Sequence, residues 1–450
     1  MIATNRKEPF VLVAGDLIVF AFSLFLALVI RYNQLPTSAL LDIHLAPFGL
    51  IFAISVAVFF IAGLYDKQTV LLRKHLPQII INAHLANALI AIVFFYFIPF
   101  FLITPKTNLF LYLIISLGLM FIWRVYGYQR LGAMRHSETG IIVADKKISD
   151  EVEREIMQNQ KYRLTIQEVV DVDLLSVDEL GRKIREYLQE RKISFVIIDF
   201  GHDKVAPILV DLYGFIFSPI SFIHVVDFYE ELFDRLPVLL LRHDWFLRNI
   251  SSRPKVVFDF VKRFMDILAA LVLGAVSLVF YPLVYFAIKI DDGGPLFVVQ
   301  KRIGENDMPI TLYKFRSMKF NDDGRQEENK QNSVTRVGAL LRRTRIDELP
   351  QLCNVLKGDL SLIGPRPELP ALVSVYEREI PYYSIRHIVK PGLSGWAQIY
   401  HKNHPHHQTS VVDTSDKLSY DLFYIKNRSI MLDIKIALRT IRTLLSRSGV

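Results

Sequence analysis

Asp347 and Glu348 stand side by side just before Pro350. Within a helix, proline is tolerated only in the first turn, where its missing N–H has no intrahelical partner. Leu349, Leu352, Val355 and Leu356 keep helical spacing, so the two carboxylates are expected at or near a helix N-terminus. The macrodipole there favours negative charge and is expected to keep a carboxylate ionised. Free N–H groups at the same end can hold a phosphate. Arg342, Arg343 and Arg345 add positive charge just upstream. An ionised carboxylate beside an anion site is placed to attack phosphorus. Its neighbour can hold Mg²⁺, which offsets the repulsion between nucleophile and diphosphate. Taken alone, an Asp-Glu pair at this point reads as a helix cap.

A second element changes that balance. Residues 360–363 read as a strand that runs into Gly364-Pro365-Arg366-Pro367. Pro365 fixes its own φ and Pro367 pushes Arg366 toward an extended backbone, so Arg366 loses little entropy on binding a phosphate. Residues 311–318 alternate. A strand there puts Lys314 and Arg316 on one face and Tyr313 and Phe315 on the other, and two cations on a rigid face suit a diphosphate. Two further clusters are weaker. Asp322-Asp323 is a possible metal pair but sits beside Asn321 and Gly324 and reads as a turn. His401, His404, His406 and His407 form a His-rich segment; a zinc site there is conceivable, and a solvated specificity or membrane-facing loop is the expectation.

These residues need elements to hold them. The apolar run 264–290 is long enough to span a bilayer, yet Lys255, Lys262 and Arg263 precede it and Lys289, Lys301 and Arg302 follow. Positive charge at both ends asks for both ends on the cytoplasmic face. Pro282 removes a donor and clashes with the preceding turn. A re-entrant helix that breaks near Tyr281-Pro282 meets both constraints. The alternative is a fifth span with a kink. The tail Leu432–Leu445 is amphipathic and basic, suited either to anionic lipid or to core packing.

Four earlier apolar stretches, near 10–30, 45–64, 79–103 and 108–127, each have the roughly 20 residues that cross a bilayer. Arg6 and Lys7, then Lys67, Arg73 and Lys74, then Arg130 and Arg135 place both ends of this bundle in the cytoplasm. Asp16, His84 and Asn87 lie inside spans and are expected to make polar contacts between helices. Between bundle and C-terminal region, strands near 139–144, 194–200 and 221–227 alternate with helical stretches near 149–159, 177–191 and 204–217. That order argues for a parallel, doubly wound sheet. Its first turn, Ala144-Asp145-Lys146-Lys147, lacks the glycines a dinucleotide requires, so a structural or regulatory role is expected.

Composition agrees with this layout. Apolar residues make up 52% of the 450-residue chain and charged residues 22%, which excludes a disordered or nucleoprotein-tail chain. Lys+Arg exceed Asp+Glu by 53 to 45, a balance that fits anionic lipid or phosphorylated ligands. No compact basic arm points to nucleic acid. The single Cys353 excludes an intrachain disulfide framework and a cysteine-based zinc or iron–sulfur site. The first apolar segment is long and lacks a small-residue cleavage pattern, so no signal peptide is expected.

From about residue 258 the chain resembles the catalytic domain of the bacterial monotopic polyprenyl-phosphate phosphoglycosyl transferases, the bacterial sugar transferase family. The strings that carry the resemblance are Lys314–Met318, Asp347–Leu352, Gly358–Pro367, Lys390–Gln398 and Leu418–Asn427, in that order. Four spans and a middle α/β module make it similar to the large subclass. The resemblance implies three domains: a four-helix transmembrane bundle over 1–130, a degenerate Rossmann-like α/β domain over 137–250, and an α/β catalytic domain over 257–450 with a re-entrant helix at 264–290. It implies that Asp347 takes a hexose 1-phosphate from a UDP-sugar and releases UMP; a glycosyl transferase that leaves UDP and a non-catalytic membrane scaffold are the alternatives. Glu348, with Asp347, would hold Mg²⁺, Arg366 would bind phosphate, and Asp421 would sit near the active site. The acceptor implied is undecaprenyl phosphate and the product a polyprenyl-diphospho-sugar that starts exopolysaccharide, capsule or O-antigen assembly. The implied setting is the bacterial inner membrane, with the catalytic domain on its cytoplasmic face; a homodimer is compatible with the subclass. The chain departs from the family at the break, where Tyr281 precedes Pro282 in place of the usual serine.

Overall fold

The structure, a computed structural model, describes residues 8–65, 76–97, 106–127, 138–158, 162, 164–190, 193–251, 255–319, 333–400 and 410–446. Asp322, Asp323 and the His-rich segment 401–407 lie outside these residues, as do Arg6, Lys7, Lys67, Arg73, Lys74, Arg130 and Arg135. The chain forms two compact units, Met1–Phe228 and Tyr229–Val450.

The first unit opens with α1 (Glu8–Tyr32), α2 (Ser38–Ile61), α3 (Leu76–Phe97) and α4 (Lys106–Ile122). Each is long and apolar enough to cross a membrane, α4 together with the turn Trp123–Gly127 that follows it. Phe20, Phe48, Phe52, Phe59 and Tyr112 pack between them as an aromatic core. The helices are further tied by a buried charge pair. Arg124, in the π-helical turn Trp123–Gly127 after α4, pairs with Asp16 of α1 and donates to the Leu64 carbonyl at 2.9 Å. Tyr65 and Trp123 also donate to the Asp16 carboxylate, at 2.7 and 3.1 Å. Gly15 permits this approach, since a Cβ there would lie 2.0 Å from the Trp123 ring. His84 bridges α3 to α4, its Nε2 2.9 Å from the Leu113 carbonyl. Asn87 is buried with no hydrogen-bond partner among the described residues.

The same unit carries a parallel sheet of β1 (Glu138–Ala144), β2 (Leu164–Asp171), β3 (Phe195–Ile198) and β4 (Ser221–His224), in the order β2–β1–β3–β4. Ile141–Ala144 of β1 and all of β3 are continuous apolar runs buried on both faces, as a helix-covered parallel sheet requires. Three readings of the sequence are corrected here. The edge strand β2 is absent from the alternation-based reading, because Gln167 and Glu168 interrupt its apolar pattern. The strand expected over 221–227 stops at His224. Val225, Val226, Phe228, Tyr229 and Leu232 are instead buried at helical spacing along Val225–Phe233. The helix expected over 204–217 is split into a 3₁₀ turn, the short helix Leu209–Tyr213 and a second 3₁₀ turn. At the first turn after β1, Asp145 Oδ1 accepts from the Lys147 and Ile148 N–H groups at 2.9 and 3.3 Å. A carboxylate thus caps the helix N-terminus that a pyrophosphate would otherwise use.

The second unit begins with two helices, Val256–Ser277 and Phe280–Asp291, bent by 53°. The bend falls at Leu278-Val279, before Pro282, and the proline explains the offset. Its ring crowds the carbonyl four residues earlier, which belongs to Leu278. That carbonyl accepts from Tyr281 N–H at 3.2 Å instead. The bend lets each half cover a separate core. Ala270 packs with Leu312, Leu352, Val355 and Leu360, while Val284 and Ile288 pack with Phe315 and Leu341. The opposite flank exposes Phe260, Phe264, Leu268, Leu271, Val276, Leu283 and Phe286. Next comes the antiparallel pair β5 (Phe297–Ile303) and β6 (Pro309–Phe315), and later the parallel pair β7 (Ser361–Ile363) and β8 (Gly392–Ser394). The closing helix Ile430–Ser446 stacks Lys435 over Trp396 and Arg439 over Tyr400, so these two cations face protein.

Candidate active site

The helix Arg336–Thr344 ends at Arg345, whose φ of 57° turns the chain sharply. A non-glycine residue in this left-handed region costs about 1–2 kcal/mol. The turn starts the 3₁₀ segment Ile346–Gln351, in which Asp347 and Glu348 occupy the first turn. Pro350 therefore precedes the α-helix Leu352–Lys357 and lies within the 3₁₀ turn.

The two adjacent carboxylates meet opposite surroundings. Glu348 Oε1 accepts from Arg366 at 2.5 Å and lies 3.7 Å from Lys314 Nζ and 3.6 Å from Arg345. Burial alone would raise its pKa, but Arg366 first, then Lys314 and Arg345, hold it well below the usual carboxylate range. Asp347 is only 7% exposed. Burial first, then the charge of Glu348, pushes its pKa up to about 6, although Lys314, Arg342 and Arg345 pull the other way. The helix end does not lower this pKa: desolvation outweighs the short 3₁₀ dipole, and the carboxylate is ionised above about pH 6. Asp347 Oδ1 has no hydrogen-bond partner among the described residues.

Two devices align the cations. Asn354 is fully buried on the apolar face of its helix. Its amide accepts from Tyr313 N–H at 3.2 Å and donates to the Thr311 carbonyl at 2.7 Å, clamping β6, and with it Lys314, beside the Asp347 turn. Burial first, then Arg366 and Arg302, lower the Lys314 pKa to about 8 against the opposing pull of Glu348. Arg366 is held from behind. Gly364 N–H donates to Ser394 O at 2.8 Å and Gly392 N–H to Pro365 O at 2.9 Å. Arg386 donates to the Arg366 carbonyl at 2.9 Å and to Asp421 at 2.8 Å. Asp421 thus reaches the carboxylates only indirectly, supporting Arg366 through Arg386. Glu368 collects Lys417, Arg386 and Arg302 in the same network.

The fold gathers Lys314, Asp347, Glu348, Arg345 and Arg366, with Arg342 close enough to act on Asp347. Arg342 itself donates to Ser317 Oγ at 3.0 Å. Arg316 is turned elsewhere: it pairs with Asp292 at 3.0 Å and donates to the carbonyls of Met318 and Lys319. Strand β6 ends at Phe315, so the alternation that would align Arg316 with Lys314 is broken. Arg343 is exposed on its helix, and Pro282 belongs to the bent helix pair. A cleft lined by Arg302, Leu312, Lys314, Gln351, Arg366, Pro367, Gly392 and Leu393 adjoins the cluster. Arg302 reads in the sequence only as a basic flank of the apolar run, and Gln351, Asn354, Glu368 and Arg386 are not read there as site residues. For Asn354 a signal existed, a polar residue among helically spaced apolar ones; charges paired across distant segments leave none.

Residues 257–447 match the family described as bacterial sugar transferase. A UDP-N-acetylgalactosamine-undecaprenyl-phosphate N-acetylgalactosaminephosphotransferase of Aeromonas hydrophila is 46% identical over 205 residues, 44% of this chain and 47% of that protein. A UDP-glucose:undecaprenyl-phosphate glucose-1-phosphate transferase of Caulobacter vibrioides is 38% identical over 203 residues, covering 44% of this chain and 75% of that protein. Its namesake from Escherichia coli is 41% identical over 186 residues, 40% of this chain and 39% of that protein. The match thus spans less than half the length of the first and third of these relatives. Over the unit that holds the Asp347–Glu348–Arg366 cluster, this chain belongs to the bacterial sugar transferase family.

Proposed function

We propose that the protein transfers a hexose 1-phosphate from a UDP-sugar to undecaprenyl phosphate through a covalent intermediate on Asp347. The observation that carries this reading is the buried, unpartnered Oδ1 of Asp347 beside a carboxylate already saturated with cations. Glu348 keeps Arg366 and Lys314 pointed at one place, and Asp347 is left as the free anion. In the first step Asp347 Oδ1 bonds to the sugar-bearing phosphorus and the bond to UMP breaks. In the second, an oxygen of undecaprenyl phosphate bonds to that phosphorus and displaces the carboxylate, giving a polyprenyl-diphospho-sugar. Arg366 and Lys314 offset charge on the phosphoryl oxygens in both steps. The names of the relatives support a UDP-sugar and undecaprenyl phosphate as the substrate pair.

The oxygen donors of the Asp347–Glu348 pair suit Mg²⁺, with the unpartnered Asp347 Oδ1 left for the phosphorus and the other carboxylate oxygens for the ion. Bound there, the ion would neutralise diphosphate charge. We read the bent helices Val256–Ser277 and Phe280–Asp291 as a re-entrant pair, and α1–α4 as spans of the bacterial inner membrane with the catalytic unit on the cytoplasmic face. The parallel sheet is read as a Rossmann-like module with no nucleotide role, and the product as the first lipid-linked intermediate of a surface glycan.

The test is nucleotide release across a panel of UDP-sugars with undecaprenyl phosphate, including UDP-glucose, UDP-galactose and their N-acetylated counterparts. UMP is the expected product; UDP would overturn the reaction class. Asp347→Asn should lower turnover by at least ~10³-fold in a folded protein, and trapping with donor alone should add the mass of a hexose phosphate to the peptide bearing Asp347. Full activity in that variant would overturn the covalent step.

A further inference from the structure

A second set of ligating groups lies within the same unit, away from Asp347. Asp307 closes the 3₁₀ turn Glu305–Asp307 that joins β5 to β6. Glu377 lies near the end of the helix Pro370–Glu379, and His387 lies in the 3₁₀ segment Tyr383–Ile388. One ligand atom from each of the three lies within 4.8 Å of the other two. His387 is 93% buried, with Nδ1 2.5 Å from Asp307 Oδ1, whereas both carboxylates are open to solvent.

We propose that Asp307, Glu377 and His387 form a binding site for one divalent transition-metal cation of the zinc type. The donor set decides the class of ion. Two carboxylate oxygens and one imidazole nitrogen suit Zn²⁺ and its neighbours, whereas Mg²⁺ and Ca²⁺ favour oxygen alone. The charges also fit. Two carboxylates facing one neutral imidazole carry a charge of about −2 that a dication cancels. Arg386, whose charge acts on His387, is already paired with Asp421 at 2.8 Å and lies 3.8 Å from Glu368. His387 is fixed in place by the edge-on Tyr383 ring at 5.9 Å, so the nitrogen ligand is preorganised while the carboxylates give the ion an entry from solvent.

The site would act as a clip between segments distant in sequence. It joins the β5–β6 turn, whose hairpin carries Lys314, to the segment carrying Arg386, which holds the Arg366 carbonyl. Occupancy would stiffen the supports of two phosphate-facing cations without touching substrate.

The experiment uses untagged, full-length protein in detergent, stripped with EDTA and then exposed to Zn²⁺ in millimolar Mg²⁺, so that hard-oxygen sites are already filled. Bound zinc per chain is counted by mass spectrometry after desalting, and thermal unfolding is followed in parallel. Wild type should retain about one zinc with a raised Tm. Asp307→Asn and Glu377→Gln alter exposed side chains and should fold, yet each should bind zinc more than ~10-fold more weakly, since even outer-shell partners of a metal contribute about that much. A wild type without zinc, or variants that retain it undiminished, would overturn the site. Zinc kept in both variants but lost when His404 and His406 are replaced would assign the ion to the His-rich segment and equally overturn it.

Discussion

Adjacent carboxylates with opposite electrostatics are the central feature at the residue scale. Glu348 faces Arg366, Lys314 and Arg345 and stays ionised; Asp347, one residue away, is buried with less compensation. The spacing of Asp, Glu, Pro and the flanking arginines was legible in the sequence and pointed to this turn. The sign of the Asp347 shift was not, because it depends on how deeply the turn is buried. A pH profile tests it. With a pKa raised to about 6, Asp347 is protonated below that value and ionised above it. On the proposed mechanism the ionised nucleophile is lost as pH falls through 6, and kcat/KM for the UDP-sugar should drop about tenfold per unit below it. An acid limb near 4 would mean that positive charge, a bound cation included, outweighs burial at Asp347.

At the scale of elements, the bend between Val256–Ser277 and Phe280–Asp291 follows from one residue, Pro282, acting on the Leu278 carbonyl four residues back. Its presence could be read from the proline, its location only from the register of the hydrogen bonds. The re-entrant reading makes a direct prediction. In a Cys353→Ser background, cysteines placed at Lys255 and Asp292 should both react with an impermeant thiol reagent from the cytoplasmic side. Labelling on opposite sides would make the pair a kinked span. The same scale explains the misread strands. Edge strand β2 tolerates polar residues that disguise it, and Val225-Val226 is apolar enough for either a strand or a helix until burial chooses.

Across the whole chain, stability in the apolar bundle rests on packing plus a small number of buried polar ties. Asp16, Arg124, Tyr65 and Trp123 form the densest of these among the described residues. Removing one partner of a buried ion pair strands the other charge and costs about 3–5 kcal/mol. Asp16→Ala should therefore lower the unfolding temperature of the detergent-solubilised protein by several degrees. It should leave UMP release per folded molecule unchanged, since none of the four residues belongs to the catalytic cluster. A variant as stable as wild type would mean that Arg124 finds another partner.

The sequence by itself determined the large divisions: apolar runs of spanning length, a βα alternation without a glycine loop, and a C-terminal region whose ordered motifs mark the sugar transferase family. The first two follow from periodicity and composition, which are local properties; the third rests on the likeness of those motifs to the family's. Only the tertiary structure decided that Arg316 leaves the site for Asp292, that Asn354 clamps Lys314 beside Asp347, and that Asp421 reaches Arg366 through Arg386. Each of these depends on groups dozens of residues apart meeting in a poorly hydrated interior, where pairing and desolvation, not sequence spacing, fix which charge faces the substrate.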